Sequence, residues 1–492
     1  MANLSRLVEA KVEFQWDGSS WTDETANLVS VSGAYEYFPP GESYQSGKSI
    51  IQQATVVLDN KSFRYSSWHP SSILYAYRTQ GGAYHRRCRI QVRIDNGSWQ
   101  TLFVGFIKQP DDAYARGQVV FRVWDIGEML RDKHSTPVLE NLYEHQLVIH
   151  YLNNVAGLSD GVDYRSPALA ASQGLPATID ASTQQIRYSW LDDESIWDEL
   201  SDIAQASGSR LFVDQAGMIH FEKGWHWTLL AGQSSETLSE DQWQDFEPVH
   251  DDKAFYDEVV VTYVSRIPGD SQAAVWELRE PKLIPPQTIE TITARFQYPA
   301  RAISYPLPND DYFLQFLDGR DATASGEVVA EFEMYGQQAI ISIHNTFSQP
   351  LVFSKAKIVG TPLLGAPSEQ AKRTTGSGFR RTLEVRNNPY MQSKVQADSV
   401  ASFLAWWYEK SKFTYRLTGV AGKPTRKLGN RVVVKADGVT LDGLIIRLQW
   451  GITVRERTFA YIQDMTMVEN VFPSDYFIVG TSTLGGGRVL WH

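Results

Sequence analysis

Histidine is the first residue type to test for catalysis or metal binding, because its imidazole titrates near neutral pH and binds zinc. His145 and His150 are five residues apart, whereas the helical zinc motif His-Glu-x-x-His places its histidines four apart. His220, His226 and His250 are scattered without ligand spacing. We therefore expect structural roles for these histidines and no bound metal.

Acidic residues cluster once, at a point where the chain is predicted to enter a helix. Paired carboxylates can hydrolyse glycosidic bonds. Negative charge is also favoured at a helix start, where it meets the positive end of the helix dipole. We expect this second role, on the helix start and its solvated face, for Asp192, Asp193, Glu194, Asp198 and Glu199.

Three further motifs lack the pattern that their chemistry requires. Residues 480–485 fall one position off the G-x-S-x-G nucleophile elbow, and no strand–helix unit follows. The glycines at 485–487 have no following Lys-Ser/Thr, so they form no phosphate loop. Asp310, Asp311 and Asp318 lack the calcium-loop signature and are predicted to be exposed loop carboxylates. The sequence predicts no catalytic residue, no cofactor and no metal ligand, and thus a protein that is not an enzyme.

Basic residues form three local clusters, which leave two interpretations open. Alternate residues of a strand share a face, so Arg87 with Arg89, and Arg455 with Arg457, would each point the same way. Such faces either meet solvent or supply a barrel lining or a salt bridge between subunits. The clusters are Arg86, Arg87 and Arg89; Lys372, Arg373, Arg380 and Arg381; and Arg455 and Arg457.

Size and composition limit the class of protein. The 492 residues exceed one core, so several domains are expected. Aromatic residues reach 12%, with 15 Trp, which favours β-rich folds. The net charge of −11 argues against a general nucleic-acid binder. One cysteine, Cys88, excludes an internal disulfide, and we expect it to be a packed thiol.

The hydropathy of the sequence does not suggest a membrane protein. The start lacks the basic-then-apolar layout of a signal peptide. No apolar run approaches the roughly 20 residues of a membrane-spanning helix. We expect a soluble chain that is assembled in the cytoplasm.

Short alternating runs divided by turns predict a mainly β chain. Val12, Phe14 and Trp16 share one face of the first strand. Three helices interrupt the strands: one near 141–156 that ends at Gly157, one that follows the acidic cluster and ends at Gly208, and one from Asn388-Pro389 to about Lys410. Ser368 to Gly378 is predicted to be an exposed, mobile loop, and 211–221 a hairpin.

One strand pattern occurs twice. Arg89 to Ile94, a turn, a strand containing Gly105 and a strand ending at Asp125 match Arg431 to Ala436, a turn, a strand containing Gly443 and a strand ending at Asp464. The pattern predicts two similar β-barrels in one chain. A trimer of such a chain presents six similar units and can dock onto a sixfold ring.

Ordered stretches along the chain resemble tail-tip hub proteins of long-tailed phages, which are similar to the baseplate hub of contractile phages. The first domain of this family is similar to Ala54–Asn60, the loop with Phe63, Tyr65 and Ser66, and Leu102–Ile107. The helix-then-hairpin segment is similar to Glu194–Phe221, and the closing barrel to Asn388-Pro389-Tyr390 with Leu428–Val434. The end of such proteins resembles Tyr476–Gly485.

The resemblance implies a structural virion protein at the tail tip, assembled in the host cytoplasm. It implies a homotrimer that closes the tail tube, adapts sixfold to threefold symmetry and takes part in DNA ejection. Its implied partners are a distal tail ring protein, a tail tube or tape-measure protein, and tail fibres or a spike. DNA would pass the lumen without sequence recognition, and membrane contact would be transient, through other tip proteins. The alternatives are a distal tail ring protein and a carbohydrate-binding or cell-wall-cleaving tail-tip protein.

The expected fold class is mainly β with an α+β insert: two tube-like β-barrel domains plus accessory α/β and β domains. The expected divisions are 1–125, a first barrel; 126–245, an α+β domain with the helix and hairpin; 246–300, the start of a second barrel; 301–388, an inserted β domain; 389–470, a helix and the completion of the second barrel; and 471–492, a C-terminal extension.

Overall fold

A 13-stranded sheet that draws strands from both ends of the chain is the frame of the fold. The structure is a computed structural model. It describes residues 6–37, 49–80, 83–113, 117–224, 226, 230, 232–250, 256–323, 328–375, 381–409, 413–455, 458–470, 476–477 and 489–490.

The N-terminal part of this sheet forms because apolar residues alternate along each strand. Val12 and Phe14, and likewise Val56 and Leu58, are fully buried on one face, while their neighbours point away from it. Short 3-10 turns at Thr25–Asn27 and Tyr75–Gln80 connect the strands. The strands are β1 Val8–Phe14, β2 Thr22–Asp23, β3 Leu28–Glu36, β4 Gln53–Asp59, β5 Arg87–Ile94, β6 Gln100–Ala113 and β7 Gln118–Trp124.

An α+β region follows, with the helix and hairpin that the sequence predicted. Ser195 caps helix α3 by accepting from the Asp198 N–H at 3.2 Å, and Gly208 ends it in the left-handed conformation, φ +64°. A 3-10 turn at Ile126–Arg131 opens the region. The elements are β8 Lys133–Ser135, β9 Leu139–Tyr143, α1 Glu144–His150 continued by a π-helical turn Tyr151–Val155, α2 Pro167–Gln173, β10 Gln185–Ser189, β11 Asp192–Ser195, α3 Ile196–Ser207, β12 Arg210–Val213 and β13 Ile219–Glu222.

The chain then contributes two strands to the large sheet, β14 Glu236–Leu238 and β15 Asp245–His250, before it leaves for an accessory β region. Between them, Glu240–Gln242 forms a 3-10 turn. The accessory strands are β16 Glu258–Tyr263, β17 Arg266–Pro268, β18 Ala273–Glu277, β19 Lys282–Ile284, β20 Thr288–Arg295, β21 Ala300–Arg301, β22 Tyr312–Phe316, β23 Val328–Met334, β24 Gln338–Asn345, β25 Leu351–Gly365, β26 Glu369–Thr374 and β27 Thr382–Val385.

Helix α4, Lys394–Glu409, leads back to the large sheet. The returning strands are β28 Phe413–Ala421, β29 Arg431–Ala436, β30 Val439–Arg455 and β31 Thr458–Glu469. A short parallel pair, β32 Tyr476–Phe477 and β33 Val489–Leu490, lies beyond them. No helix among the described residues has the length and apolar content needed to span a bilayer. The mainly β class with an α+β insert is confirmed.

Pairing within the segment 246–300 separates it into two parts. Only β15 joins the large sheet, whereas β16 pairs with β26 and β27. Strands β17, β18 and β19 pair instead with the long strand β25. We therefore propose that the accessory region begins soon after His250, and that the second barrel resumes only at β28.

Two local sequence predictions were wrong. The third helix begins at Lys394, five residues after Pro389, because Ser393 caps it by accepting from the Gln396 N–H at 3.2 Å. Asn388 accepts instead from the Tyr390 N–H at 2.9 Å, inside a turn that precedes the helix. Most of the predicted loop 368–378 is strand β26, whose backbone groups are satisfied by β16 and whose polar side chains stand on a sheet edge. Residues 376–378 lie outside the described residues.

The strand order of the large sheet confirms that one strand pattern occurs twice in the chain. The N-terminal half runs β3-β4-β7-β6-β5, and the C-terminal half runs β15-β28-β31-β30-β29 in the same order. We call β3, β4, β7 and β6 the first unit, and β15, β28, β31 and β30 the second unit. Each unit carries a β-bulge at the same place, two residues after a glycine: between Ile107 and Gln109, and between Ile445 and Arg447.

The structure also shifts the alignment of the two copies of this strand pattern. Gly105 pairs with Cys88, and Gly443 with Val432, so Arg431–Ala436 matches Arg87–Val92 rather than Arg89–Ile94. The pairing of β6 with β7, and of β30 with β31, matches Asp125 to Glu469 and not to Asp464. Sequence alone could not set this register, because a shift by two residues leaves the alternation of apolar and polar residues unchanged.

The two glycines are required by close backbone approach. A Cβ on Gly105 would lie 2.3 Å from the Trp124 carbonyl oxygen, and a Cβ on Gly443 would lie 3.2 Å from the matching Val468 oxygen. Gly105→Ala is therefore expected to lower the free energy of unfolding by about 1–3 kcal/mol, the usual cost of overpacking. Gly443→Ala should cost less, and Gly451→Ala, which meets nothing within 4 Å, should be near neutral. Urea unfolding of the three variants measures this order, and equal effects at the three positions would contradict it.

Candidate functional site: the joint between two four-stranded units

The two units are joined edge to edge through a single strand pair. Strand β3 pairs antiparallel with β30 from Ser30 opposite Thr453 to Glu36 opposite Arg447. The ladder continues beyond the strand, since the Tyr37 N–H donates to the Ile446 carbonyl at 3.0 Å. Two strands that are about 400 residues apart in sequence therefore join the two units into one continuous sheet. We call this pairing the joint.

Trp450 seals the buried face of the joint against Gly33. The two residues are directly opposite, and a Cβ on Gly33 would lie 2.5 Å from the Trp450 ring. Trp450 is buried, as are Tyr35, Leu448 and Ile452 on the same face. These residues belong to one hydrophobic core that contains side chains from both units. The joint is thus part of the interior of the fold and not a contact between two finished surfaces.

An ion pair lies at the end of the joint. The Arg447 guanidinium approaches the Glu36 carboxylate at 2.7 Å, and most of the Glu36 side chain is buried. Burial raises the pKa of Glu36, and the positive charge of Arg447 opposes that rise. Neither residue was singled out in the sequence, because 411 positions separate them.

The other face of the joint is an open groove that runs across both units. Paired residues share a face, so one row of side chains crosses four strands. The row runs from Asp464 through Gln449 and Ala34 to Gln53. The groove is lined by Ser32, Gly33, Ala34, Gln53, Thr55, Val120, Arg122, Trp124, Gln449, Trp450, Gly451, Thr453, Ala460, Ile462 and Asp464. Apolar and uncharged polar residues are mixed along it, and Arg122 and Asp464 are its charged residues, so the surface offers no fixed ligand set for an ion or a reaction.

His220, predicted to be structural, lies in a half-buried network of charged side chains. Its ring contacts Asp214 at 3.3 Å and Glu222 at 3.1 Å, and Phe212 stacks on it at 4.7 Å. Glu222 is also paired with Arg210. Burial alone would lower the pKa of His220, but hydrogen bonds to the two carboxylates raise it to about 9. No nucleophile joins the network, and its charges balance.

The remaining sequence candidates are dispersed. His226 pairs with Asp180 at 2.7 Å, and His145 accepts from the Ser182 N–H at 3.0 Å. His150 contacts Asn154 at 2.9 Å. The backbone of His250 lies in β15. Within the part of the chain that the structure describes, no three metal-binding side chains come together.

The acidic cluster is divided, which corrects one expectation. Asp193 pairs with Lys133 on the surface, and Asp192 lies 3.8 Å from Arg295. Glu199, in contrast, is not on the solvated face: it is buried and accepts a hydrogen bond from Tyr390. Burial raises the pKa of Glu199 to about 9, with further contributions from Glu194. The 3.6-residue period of helix α3 turns this carboxylate inward.

The loop carboxylates and the arginines of β5 have partners within the chain. Asp311 pairs with Lys357 at 3.2 Å and Asp318 with Arg320 at 2.7 Å. Arg89 pairs with Glu13 at 2.7 Å and lies over the Trp21 ring. Arg373 pairs with Asp398 at 3.1 Å. Arg86 lies over the Tyr77 ring at 4.7 Å, and Arg87 over the Phe106 ring at 5.6 Å.

The last sequence candidates are a cysteine, an aspartate, and several residues that the structure does not describe. Cys88 is buried, as expected of a packed thiol, and burial raises its pKa. The Arg455 side chain, Arg457, Arg380 and the glycine motifs at 480–487 lie outside the described residues. Asp125, which ends β7, is buried and accepts from the Gln52 and Gly127 N–H groups at 2.6 and 2.8 Å. Burial raises its pKa to about 7, against the effect of these two donors.

Comparisons with known proteins give structural neighbours only. No family profile matches the chain. No curated protein matches it in sequence. A 43 kDa tail protein of prophage MuSo2 from Shewanella oneidensis is similar at 11% identity and TM-score 0.46, with 94% of this chain and 98% of that chain covered. A tail protein from Neisseria meningitidis MC58 is similar at 11% identity and TM-score 0.44, over 95% and 98% of the two chains.

A third neighbour is the E. coli c3393 protein, a type VI secretion component described as structurally similar to the phage T4 tail proteins gp27 and gp5. It is similar at 9% identity and TM-score 0.35, over 90% of this chain and 73% of that chain. The first two neighbours are named as tail proteins, which is the broad class of the family that the sequence resembles. At such identities and TM-scores no residue or role is transferred from them.

Substitution at Gly33 tests the joint. Gly33→Ala places a methyl group against the buried Trp450 ring, so the free energy of unfolding should fall by about 1–3 kcal/mol. Hydrogen exchange should rise in both β3 and β30, because the two strands protect each other. Gly451→Ala, in the same strand pair but facing open space, is the control. In the double variant Gly33→Ala/Trp450→Leu, part of the lost free energy of unfolding should be recovered. Simple additivity of the two changes would contradict the contact between these residues.

The His220 network predicts a pH dependence. The pKa of His220 is raised from 6.5 to about 9 by folding, so its contribution to stability is complete below pH 6.5 and is lost as the pH rises towards 9. His220→Gln should remove this dependence and leave a flatter profile of urea midpoint between pH 6.5 and 9. His150→Gln, on the half-exposed side of α1, is the matched control and should keep the slope. An unchanged slope in His220→Gln would contradict the assigned network.

Proposed function

We propose that this chain is a structural virion protein that forms the hub at the tip of a phage tail. Three copies close the tail tube, adapt the sixfold tube to a threefold tip, and open for DNA during infection. The sequence resemblance supports this class of protein. The proposal assigns the chain a mechanical role, carried by its sheet and not by a reactive group.

One observation carries the proposal: the first and second units have the same strand order, the same bulge and a continuous sheet between them. A chain that holds two similar units side by side supplies six from three copies. Closed rotational symmetry then lets a trimer face a sixfold ring without a mismatch. A chain with a single unit would need six copies for the same match.

The open groove suits the wall of a passage. Its side chains are mostly uncharged, with Arg122 and Asp464 as isolated charges, and the whole chain carries −11. A wall of this kind offers phosphate groups no continuous basic track that would hold the DNA backbone. We propose that DNA passes it without sequence recognition. We place this face towards the lumen and the opposite side towards the other tail proteins.

The proposed partners follow from this place in the particle. A distal tail ring protein and a tail tube or tape-measure protein would meet the sixfold side. Fibres or a spike would meet the threefold side, and other tip proteins would make the transient contact with a membrane. The site of action is the tail tip of the virion, after assembly in the host cytoplasm.

Native mass measurement tests the trimer. The chain has a mass of 55.6 kDa, and we expect the purified protein to appear as three copies. A hexamer would contradict the hub and favour a distal tail ring. Cleavage of purified cell-wall material would overturn the non-enzymatic assignment, and Trp and Tyr fluorescence changes on adding wall oligosaccharides would favour the carbohydrate-binding alternative. Buffer alone and an unrelated polysaccharide serve as controls for the two binding assays.

A further inference from the structure

We propose that successive copies of this chain meet through the same two strand positions that meet at the joint. Strand β15 of one copy would lie beside the second half of β6 of the next copy, head to tail around the ring. This inference rests on the proposed trimer and names the surfaces that would form it.

The equivalence of the two units defines these surfaces. Each unit has one edge of the β3 type and one edge of the β6 type. Within the chain, β3 of the first unit pairs with β30 of the second unit. The strands left at the two ends are β15, which matches β3, and β6, which matches β30.

Both end positions are unoccupied in the part of the chain that the structure describes. Strand β15 pairs there with β28 alone. In β6, residues beyond the bulge, from Gln109 to Ala113, pair with β7 alone. In β30 the matching residues, Arg447 to Gly451, pair with β31 on one side and with β3 on the other. The free side of β6 is thus the counterpart of a side that is filled at the joint.

The register of the joint transfers to the contact between copies. Ala34 opposite Gln449 becomes Val249 opposite Asp111, and Ser32 opposite Gly451 becomes Glu247 opposite Ala113. By the same transfer Gly33 opposite Trp450 becomes Pro248 opposite Asp112. Each of these matches follows from strand pairing in the two units and needs no further assumption about side chains.

Proline makes the contact between copies weaker than the joint. Because the Tyr37 N–H donates across the joint, the N–H groups of alternate residues, Tyr35 and Gly33, face the same way. Pro248 stands at the position of Gly33, and Pro110 at that of Leu448, so each proline removes one donor from the ladder between copies. Proline on a free edge prevents indiscriminate pairing with other strands. The edges would therefore stay separate in a single chain and pair only in the closed ring.

Negative charge at the two edges also weakens the contact between copies. The exposed carboxylates of Asp245 and Glu247 lie on β15, and that of Asp111 lies on β6. Like charges across a strand pair oppose association, and salt screens them. The contact between copies should therefore strengthen with ionic strength, unlike one held by salt bridges.

Engineered cysteines test the contact in the full-length protein. Asp111→Cys with Val249→Cys places two thiols directly opposite each other between copies, while within one chain six strands of the sheet separate β15 from β6. Under mild oxidation we expect disulfide-linked dimers and trimers on non-reducing gels, with a yield that rises with salt. Ala34→Cys with Gln449→Cys, the matching pair at the joint, should give an internal disulfide and no linked copies. Asp111→Cys with Val439→Cys, whose second position is also exposed, should give several-fold less linkage.

The outcomes separate this inference from the proposed function. A native trimer whose Asp111/Val249 pair links no better than the Asp111/Val439 control would overturn the edge contact and leave the hub in place. A mass other than a trimer would overturn the hub itself. A trimer with selective linkage supports both.

Discussion

The pairing of β3 with β30 is the interaction on which the rest of this structure depends. It joins residues 30–36 to residues 447–453, and Trp450 packs over Gly33 at its centre. The two units have a common core, so the N-terminal β region packs against the last strands of the chain. The α+β region and the accessory β region are inserted between strands of this one sheet. The relative position of the two units is consequently fixed by backbone hydrogen bonds and not by a linker.

Glycine and bulge positions explain why the two units have one shape despite little identity. Gly105 and Gly443 let their strands approach the carbonyl oxygens of Trp124 and Val468, and the bulge that follows bends each strand. Bending of this kind curves a sheet. The same curvature repeated in each unit is what a ring of units requires, whereas the side chains along the strands are free to differ. The proposed function therefore depends on backbone geometry more than on any single functional group.

Much of this could be predicted from the sequence, for physical reasons that are visible in particular residues. The alternation of apolar and polar residues predicted the strands, and Gly208 predicted the end of helix α3. The strand pattern that occurs twice, each time with a glycine, predicted the repeated unit. The helix at Lys394 was misplaced because Asn388-Pro389 also satisfies a tight turn, and β26 was mistaken for a loop because an edge strand tolerates polar residues on both faces. The joint, the Glu36–Arg447 pair, buried Glu199 and the His220 network depend on partners far apart in sequence. No local pattern marks such contacts, since each partner alone reads as an ordinary strand or helix residue.

The central claim is that two equivalent four-stranded units of one chain occupy neighbouring places around a tail tube. An image of the assembled particle, at a resolution that separates strands, tests it most directly. The account predicts three copies of the chain at the tail tip, with six curved four-stranded units around the lumen and the joint at every second boundary. A ring built from six copies, or one in which only the first or only the second unit lines the lumen, would contradict it.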